Sequence, residues 1–233
     1  LLLKSYQQMA EQLQNTSSPI TEESYFSFDN LPLERSPLLD TIAWTQDYPF
    51  YNYCPEIGGN KTLVGCVATA MSSIMTYYKY PRQAKGSVQY AWNGTNLQSN
   101  FQTHAYQWDK IRGTYSYVRD GNQNLINRFL SEEAEEAAKL CYDVALSIYT
   151  AFGIQASNSY NTPHHVINAL VNNFSYDPNI QILYRNYYSR NEWLSLIKKE
   201  ISEGRPVLYR GGETATSGHL FIADGYDPED RLH

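Results

Sequence analysis

Apolar residues recur at helical spacing in several parts of the chain and in short unbroken runs near its end. Leu2, Tyr6, Met9 and Leu13 advance by four, three and four positions, which predicts an amphipathic helix at the start. Val67, Met71 and Ile74 share one face of a second helix over about 65–78, stopped by Pro81 because the residue before proline avoids helical dihedrals. Ala137, Cys141, Val144 and Ile148 give the buried face of a third, opened by Glu132, Glu133, Glu135 and Glu136, with Gly153 as its stop. Thr162-Pro163 reads as cap and first residue of a short helix through Val171. Ser189 and Glu192 form a capping box ahead of Trp193, Ile197 and Ile201, and Gly204 closes that helix. Two strands follow, Pro206 to Tyr209 and Leu220 to Ala223, punctuated by Gly211-Gly212, Gly218 and Asp224-Gly225.

The intervening stretches lack a period. Residues 15–36 are polar and read as a linker, 40–60 as an ordered loop rich in Trp, Tyr, Pro and Asn, and 83–109 as irregular chain anchored by Trp92 and Trp108. Helices lead and strands follow, so the class is α+β with the two kinds of element segregated.

Composition narrows the function classes. The 233 residues carry 18% charged and 14% aromatic side chains, enough to bury a substantial core. A formal charge of −6 and the absence of any basic run argue against nucleic acid as a partner. No apolar stretch approaches the roughly 18–20 residues that span a bilayer. The three cysteines, Cys54, Cys66 and Cys141, are too few for a disulfide scaffold and show no zinc spacing, so no metal or other cofactor is implied. No disulfide is expected between Cys54 and Cys141, each of which reads as structural.

Cys66 stands apart. Gly65-Cys66-Val67-Ala68-Thr69-Ala70 puts a thiol in the first turn of a helix whose opening residues are small. Free amide N–H groups and the positive end of the helix dipole favour a thiolate there, and small neighbours let a peptide carbonyl approach. Such a nucleophile needs a base. His164 and His165 open a short helix and read as surface residues, His104 has nothing distinctive beside it, and His233, as the last residue, is too poorly constrained to assess. His219 sits at the mouth of the apolar strand Leu220-Phe221-Ile222-Ala223, with Gly218 leaving room for its ring. Gln46, in Trp44-Thr45-Gln46-Asp47-Tyr48-Pro49, offers a side-chain amide for a developing oxyanion. Taken singly, each of the three has an ordinary structural reading: a buried thiol, a hydrogen-bonded imidazole, a surface amide.

Together the segments resemble a known family. Gly65 to Met71, Ile74-Met75 and Tyr78-Lys79-Tyr80-Pro81 resemble the active-site helix of streptopain-like cysteine peptidases, secreted bacterial members of the papain-like clan. Trp44-Thr45-Gln46 with Pro49, Tyr51 and Asn52 resembles that family's oxyanion-glutamine segment. Gly204 to Tyr209 and Gly218-His219 through Asp224-Gly225-Tyr226-Asp227 resemble its catalytic-histidine hairpin. The four blocks run from Trp44 to Asp227 in the family's order.

The resemblance implies a papain-like two-lobe enzyme, helical in its N-terminal half and antiparallel β in its C-terminal half. It implies a cysteine endopeptidase acting on protein or peptide substrates, with Cys66 as nucleophile, His219 as general base and acid, and Gln46 as oxyanion donor. It further implies a secreted or cell-surface zymogen, in which residues 1–35 are the end of a propeptide with its linker and 36–233 are the peptidase domain. The family continues past its histidine hairpin into a Trp-Gly-Trp stretch that orients the imidazole, and the sequence stops at His233 ahead of any such stretch. Leu220 occupies a position where the family usually has a small residue, which implies a narrower cleft. The alternatives are a catalytically silent papain-like domain that binds a partner protein through the cleft, and another reaction of the same dyad, such as a transglutaminase-like or amidase activity.

Overall fold

The computed structural model describes residues 31–160, 162–212 and 218–233; the expected N-terminal helix lies outside them. The chain opens with turns up to a short hairpin, β1 (Glu56–Ile57) with β2 (Asn60–Lys61), and enters helix α1 (Cys66–Tyr78). Two further hairpins follow, β3 (Ser87–Trp92) with β4 (Thr95–Asn100) and β5 (Tyr117–Arg119) with β6 (Leu125–Asn127). Helix α2 (Ser131–Ser147), α3 (Thr162–Asn168) continuing into a π-turn, and α4 (Arg190–Ser202) lead to the last hairpin, β7 (Val207–Gly211) with β8 (His219–Ala223).

The class is α+β, but elements are not sorted by halves as the resemblance implied. Among the described residues three of the four hairpins precede α2, and α3 and α4 lie beyond residue 160. Residues 83–109 are not irregular: β3 and β4 pair in full antiparallel register from Ser87↔Asn100 to Trp92↔Thr95. Their connection is the two-residue turn Asn93-Gly94, with φ of 46° and 74°. Positive φ at both central residues defines the turn that matches strand twist, and Asn-Gly is its sequence signature, so the signal was present. Gly153 is not the stop of α2 either. The helix ends at Ser147 with Ile148 as cap, and the chain turns through Tyr149 at φ 54°.

The core positions α1. Met71, Ile74 and Met75 of α1 and Leu140, Cys141 and Val144 of α2 are all 1% exposed or less. The other side of α1 packs on β8, so the helix carrying Cys66 bears directly on the strand carrying His219. Ile197, Ile201, Val207, Ala223 and Tyr226 make a separate smaller cluster between α4 and the last hairpin. Beneath it Arg205 is paired in the interior with Glu200, Nη2 to Oε1 at 2.8 Å. Residues before position 40 tie to the end of β8: Arg35 and Tyr226 exchange both backbone hydrogen bonds, at 2.8 and 2.9 Å. Among the described residues no helix is long and apolar enough to cross a membrane.

Candidate active site

Cys66 is the first residue of α1 and is half-buried. Gly65 caps the helix at φ 95°, ψ 140°, a backbone setting that L side chains rarely adopt. A Cβ at Gly65 would meet Ser157 Cβ at 3.2 Å, a tight contact that adds to the backbone demand. The chain leading in is held on both sides. Val64 N–H donates to the Gln46 carbonyl at 3.1 Å, and Leu63 N–H to the Gly153 carbonyl at 3.0 Å. Ser157 Oγ donates to the Leu63 carbonyl at 2.6 Å and accepts from Gly153 N–H at 3.0 Å. Gly153 thus acts as a close-approach residue in the buttress of the nucleophile. No acidic side chain stands in the first turn of α1 to oppose a thiolate.

Gln46 is fixed through its own carbonyl on Val64 and by its neighbours. Trp44 packs on buried Phe50 with ring centres 4.8 Å apart and donates from Nε1 to the Arg112 carbonyl at 3.0 Å. His219 opens β8 opposite Gly211, exposed at the sheet edge. Gly218 is tight: a Cβ there would lie 2.8 Å from Arg210 Nη2 and 3.0 Å from the Gly211 carbonyl.

Cys66, Gln46 and His219 line one cavity of about 660 Å³, open to solvent between α1, β8 and the 37–47 segment. Among the described residues no hydrogen bond joins the Cys66 and His219 side chains. All three cysteines are free thiols. Burial pushes the Cys54 thiol up to about 12 and the Cys141 thiol higher still, so neither supplies a thiolate near neutral pH.

The remaining histidines divide differently from the sequence expectation. His104 is bonded to Glu136, Nε2 to Oε2 at 3.0 Å, and His165 packs on Tyr149 with ring centres 5.1 Å apart. His233 lines the cavity, delivered there by the Tyr226↔Leu232 bridge and by its N–H donating to the Gly225 carbonyl at 2.9 Å. Asp224 lines it too. In the sequence Asp224 reads as half of a turn and as part of the block that resembles the histidine hairpin, with no role of its own, and nothing marks His233, because the fold-back of residues 226–233 is a tertiary event.

The fold is similar to that of interpain A from Prevotella intermedia. Two solved structures superpose with TM-scores of 0.72: a prointerpain A fragment, 22% identical, covering 97% of this chain and 67% of that one, and active interpain A cysteine protease, 23% identical, covering 92% and 84%. The chain belongs to the Peptidase C10 family, whose model matches residues 44–233. It is 31% identical over 215 residues to the thiol protease/hemagglutinin PrtT of Porphyromonas gingivalis and 30% identical over 183 residues to streptopain of Streptococcus pyogenes serotype M28. Those alignments take in 88% and 75% of this chain but 23% and 43% of the relatives' own lengths.

Proposed function

We propose that the chain is a cysteine endopeptidase in which Cys66 is the nucleophile, His219 the general base and acid, and Gln46 an oxyanion donor. The observation that carries this reading is the convergence of the three on one cavity, with the thiol at a helix N-terminus. The Cys66 thiolate adds to the scissile carbonyl, and the oxyanion is met by the Cys66 N–H and the Gln46 side-chain amide. Collapse breaks the C–N bond as protonated His219 gives its proton to the leaving amine, leaving a thioester. Water then attacks the thioester, His219 takes its proton, and the acid product leaves with the thiol reprotonated. Every step is completed by protein groups and water.

A papain-like two-lobe division, with the cleft between the lobes, belongs to this reading. Residues 1–35 are the end of a propeptide with its linker, and 36–233 the peptidase domain. Protein or peptide substrates, the chain's own propeptide as a partner, and a secreted or cell-surface site of action belong to the same reading.

The test is covalent labelling by a peptidyl epoxide together with hydrolysis of an unfolded protein substrate. One equivalent should attach at Cys66, and Cys66→Ala and His219→Ala should each abolish turnover while keeping the wild-type circular dichroism. Hydrolysis that survives in Cys66→Ala overturns the mechanism. A parent chain that shows neither labelling nor turnover favours the silent, partner-binding domain.

A further inference from the structure

The cleft wall that runs to Gln46 is pinned at both ends, and the pin at the histidine end is a carboxylate. Asp224 follows β8, lines the cavity and is 8% exposed. Its Oδ2 accepts the Leu39 N–H at 2.7 Å, and its carbonyl accepts the Leu38 N–H at 3.0 Å. From Leu39 the chain passes Ile42 and Ala43, both on the cavity, to Gln46, whose carbonyl takes the Val64 N–H just ahead of Gly65 and Cys66. Residues 38–46 therefore form a strap, fastened to the strand of His219 at one end and to the approach of the nucleophile at the other. Ala43 N–H, donating to the Gly113 carbonyl at 2.9 Å, holds its middle.

Burying an ion to satisfy one amide is costly, and desolvation pushes the Asp224 carboxyl above its ordinary range. Against burial stand first the Leu39 N–H and then the His233 imidazole, and Asp224 N–H donates to the His233 carbonyl at 2.9 Å. The other ionisable groups around Asp224 are Tyr77 on α1 and Arg35 on the N-terminal segment, with Cys66 and His219 across the cavity.

We infer that Asp224 is a positioning residue: it fixes the cleft wall of residues 38–46 against β8, and so holds the surface on which a substrate chain lies. This inference rests on the peptidase reading of the cleft, and it makes Asp224 act on substrate alignment rather than on the thiol.

The experiment compares Asp224→Leu, which removes the acceptor at similar volume, with Asp224→Asn, whose amide oxygen still accepts from Leu39. Three rates are read on each: hydrolysis of a peptide substrate, alkylation of Cys66 by a peptidyl epoxide, and alkylation of Cys66 by iodoacetamide, which needs no cleft wall. A lost hydrogen bond with its attendant misplacement is expected to lower kcat/KM and peptidyl alkylation about 10-fold or more in Asp224→Leu. Iodoacetamide alkylation should stay at the parent rate, and Asp224→Asn should recover most of both losses.

Parent-like kcat/KM in Asp224→Leu overturns the inference, as does an equal fall in both alkylations. Where circular dichroism shows Asp224→Leu unfolded, Asp224→Asn decides alone: it keeps the acceptor, so a fall in kcat/KM of about 10-fold or more in a folded protein is the overturning result. A parent chain that hydrolyses nothing sinks the peptidase reading by itself, since the two alkylation rates still report on the strap.

Discussion

At the scale of single residues, Gly65 and Gln46 separate backbone demands from chemical ones. At Gly65 the positive φ and the 3.2 Å approach to Ser157 act together, so Gly65→Ala should destabilise the fold by about 1–3 kcal/mol. It should also slow Cys66 alkylation, because the strain relaxes into the first turn of α1; thermal unfolding and iodoacetamide kinetics check both. Gln46 is the opposite case. Its backbone carbonyl carries the structural bond to Val64, which any residue supplies. Gln46→Ala should therefore keep its melting temperature while kcat for peptide hydrolysis falls about 10²–10³-fold, the usual loss for one oxyanion donor.

At the scale of elements, α4 and its exit show which interactions matter for stability. The helix begins with a reciprocal capping box: Ser189 Oγ accepts from Glu192 N–H at 3.3 Å, and Glu192 Oε2 accepts from Ser189 N–H at 2.8 Å. Ser189→Ala should lower unfolding free energy by about 1 kcal/mol in urea titration. The hydrogen bonds from Ser189 hold the Glu192 carboxyl below its ordinary range. A depressed folded-state value makes this contribution fully present above the unfolded carboxylate range and lost as pH falls through the folded one. The difference between parent and Glu192→Gln should accordingly shrink in acid.

Past the end of α4, Glu200 and Arg205 are both about 5% exposed and bonded through two contacts, at 2.5 and 2.8 Å. Arg205 also pairs with Glu203, so Glu200→Ala leaves the buried guanidinium partly compensated. The change should cost less than the ~3–5 kcal/mol of a fully unpaired buried charge, read by the same titration, whereas the exposed pair Lys110–Glu132 should be worth little.

For the whole molecule the question is where the domain begins. Leu33 is 81% exposed, yet Pro32 accepts from the Tyr226 hydroxyl and Arg35, Leu38 and Leu39 are bonded to residues 224–226. Deleting residues 1–30 should leave the melting temperature and the Cys66 alkylation rate unchanged. Extending the deletion through residue 39 removes that pairing and should lower the melting temperature and peptidyl alkylation together. A parent-like melting temperature in the longer deletion would show that the strap does not bear on β8.

The sequence by itself determined what short-range physics specifies. Apolar spacing and proline marked α1, the capping box marked α4, and glycine punctuation marked β7 and β8, each within a residue or two of its observed bounds. The helix start at Cys66 and the strand start at His219 were legible in local signals, whereas the candidate roles of Cys66, His219 and Gln46 came from the family resemblance, since each taken singly had an ordinary structural reading. Even the β3–β4 hairpin had its signature in Asn93-Gly94, although it was read as irregular chain. Tertiary structure alone decided the rest. Hydrogen bonds from the Leu38 and Leu39 amides to Asp224, the delivery of His233 to the cavity and the Ser157 buttress behind Gly65 join positions far apart in the chain, and no local pattern encodes such meetings. They exist because a buried backbone amide must find an acceptor, and which acceptor it finds is settled only when the core has closed.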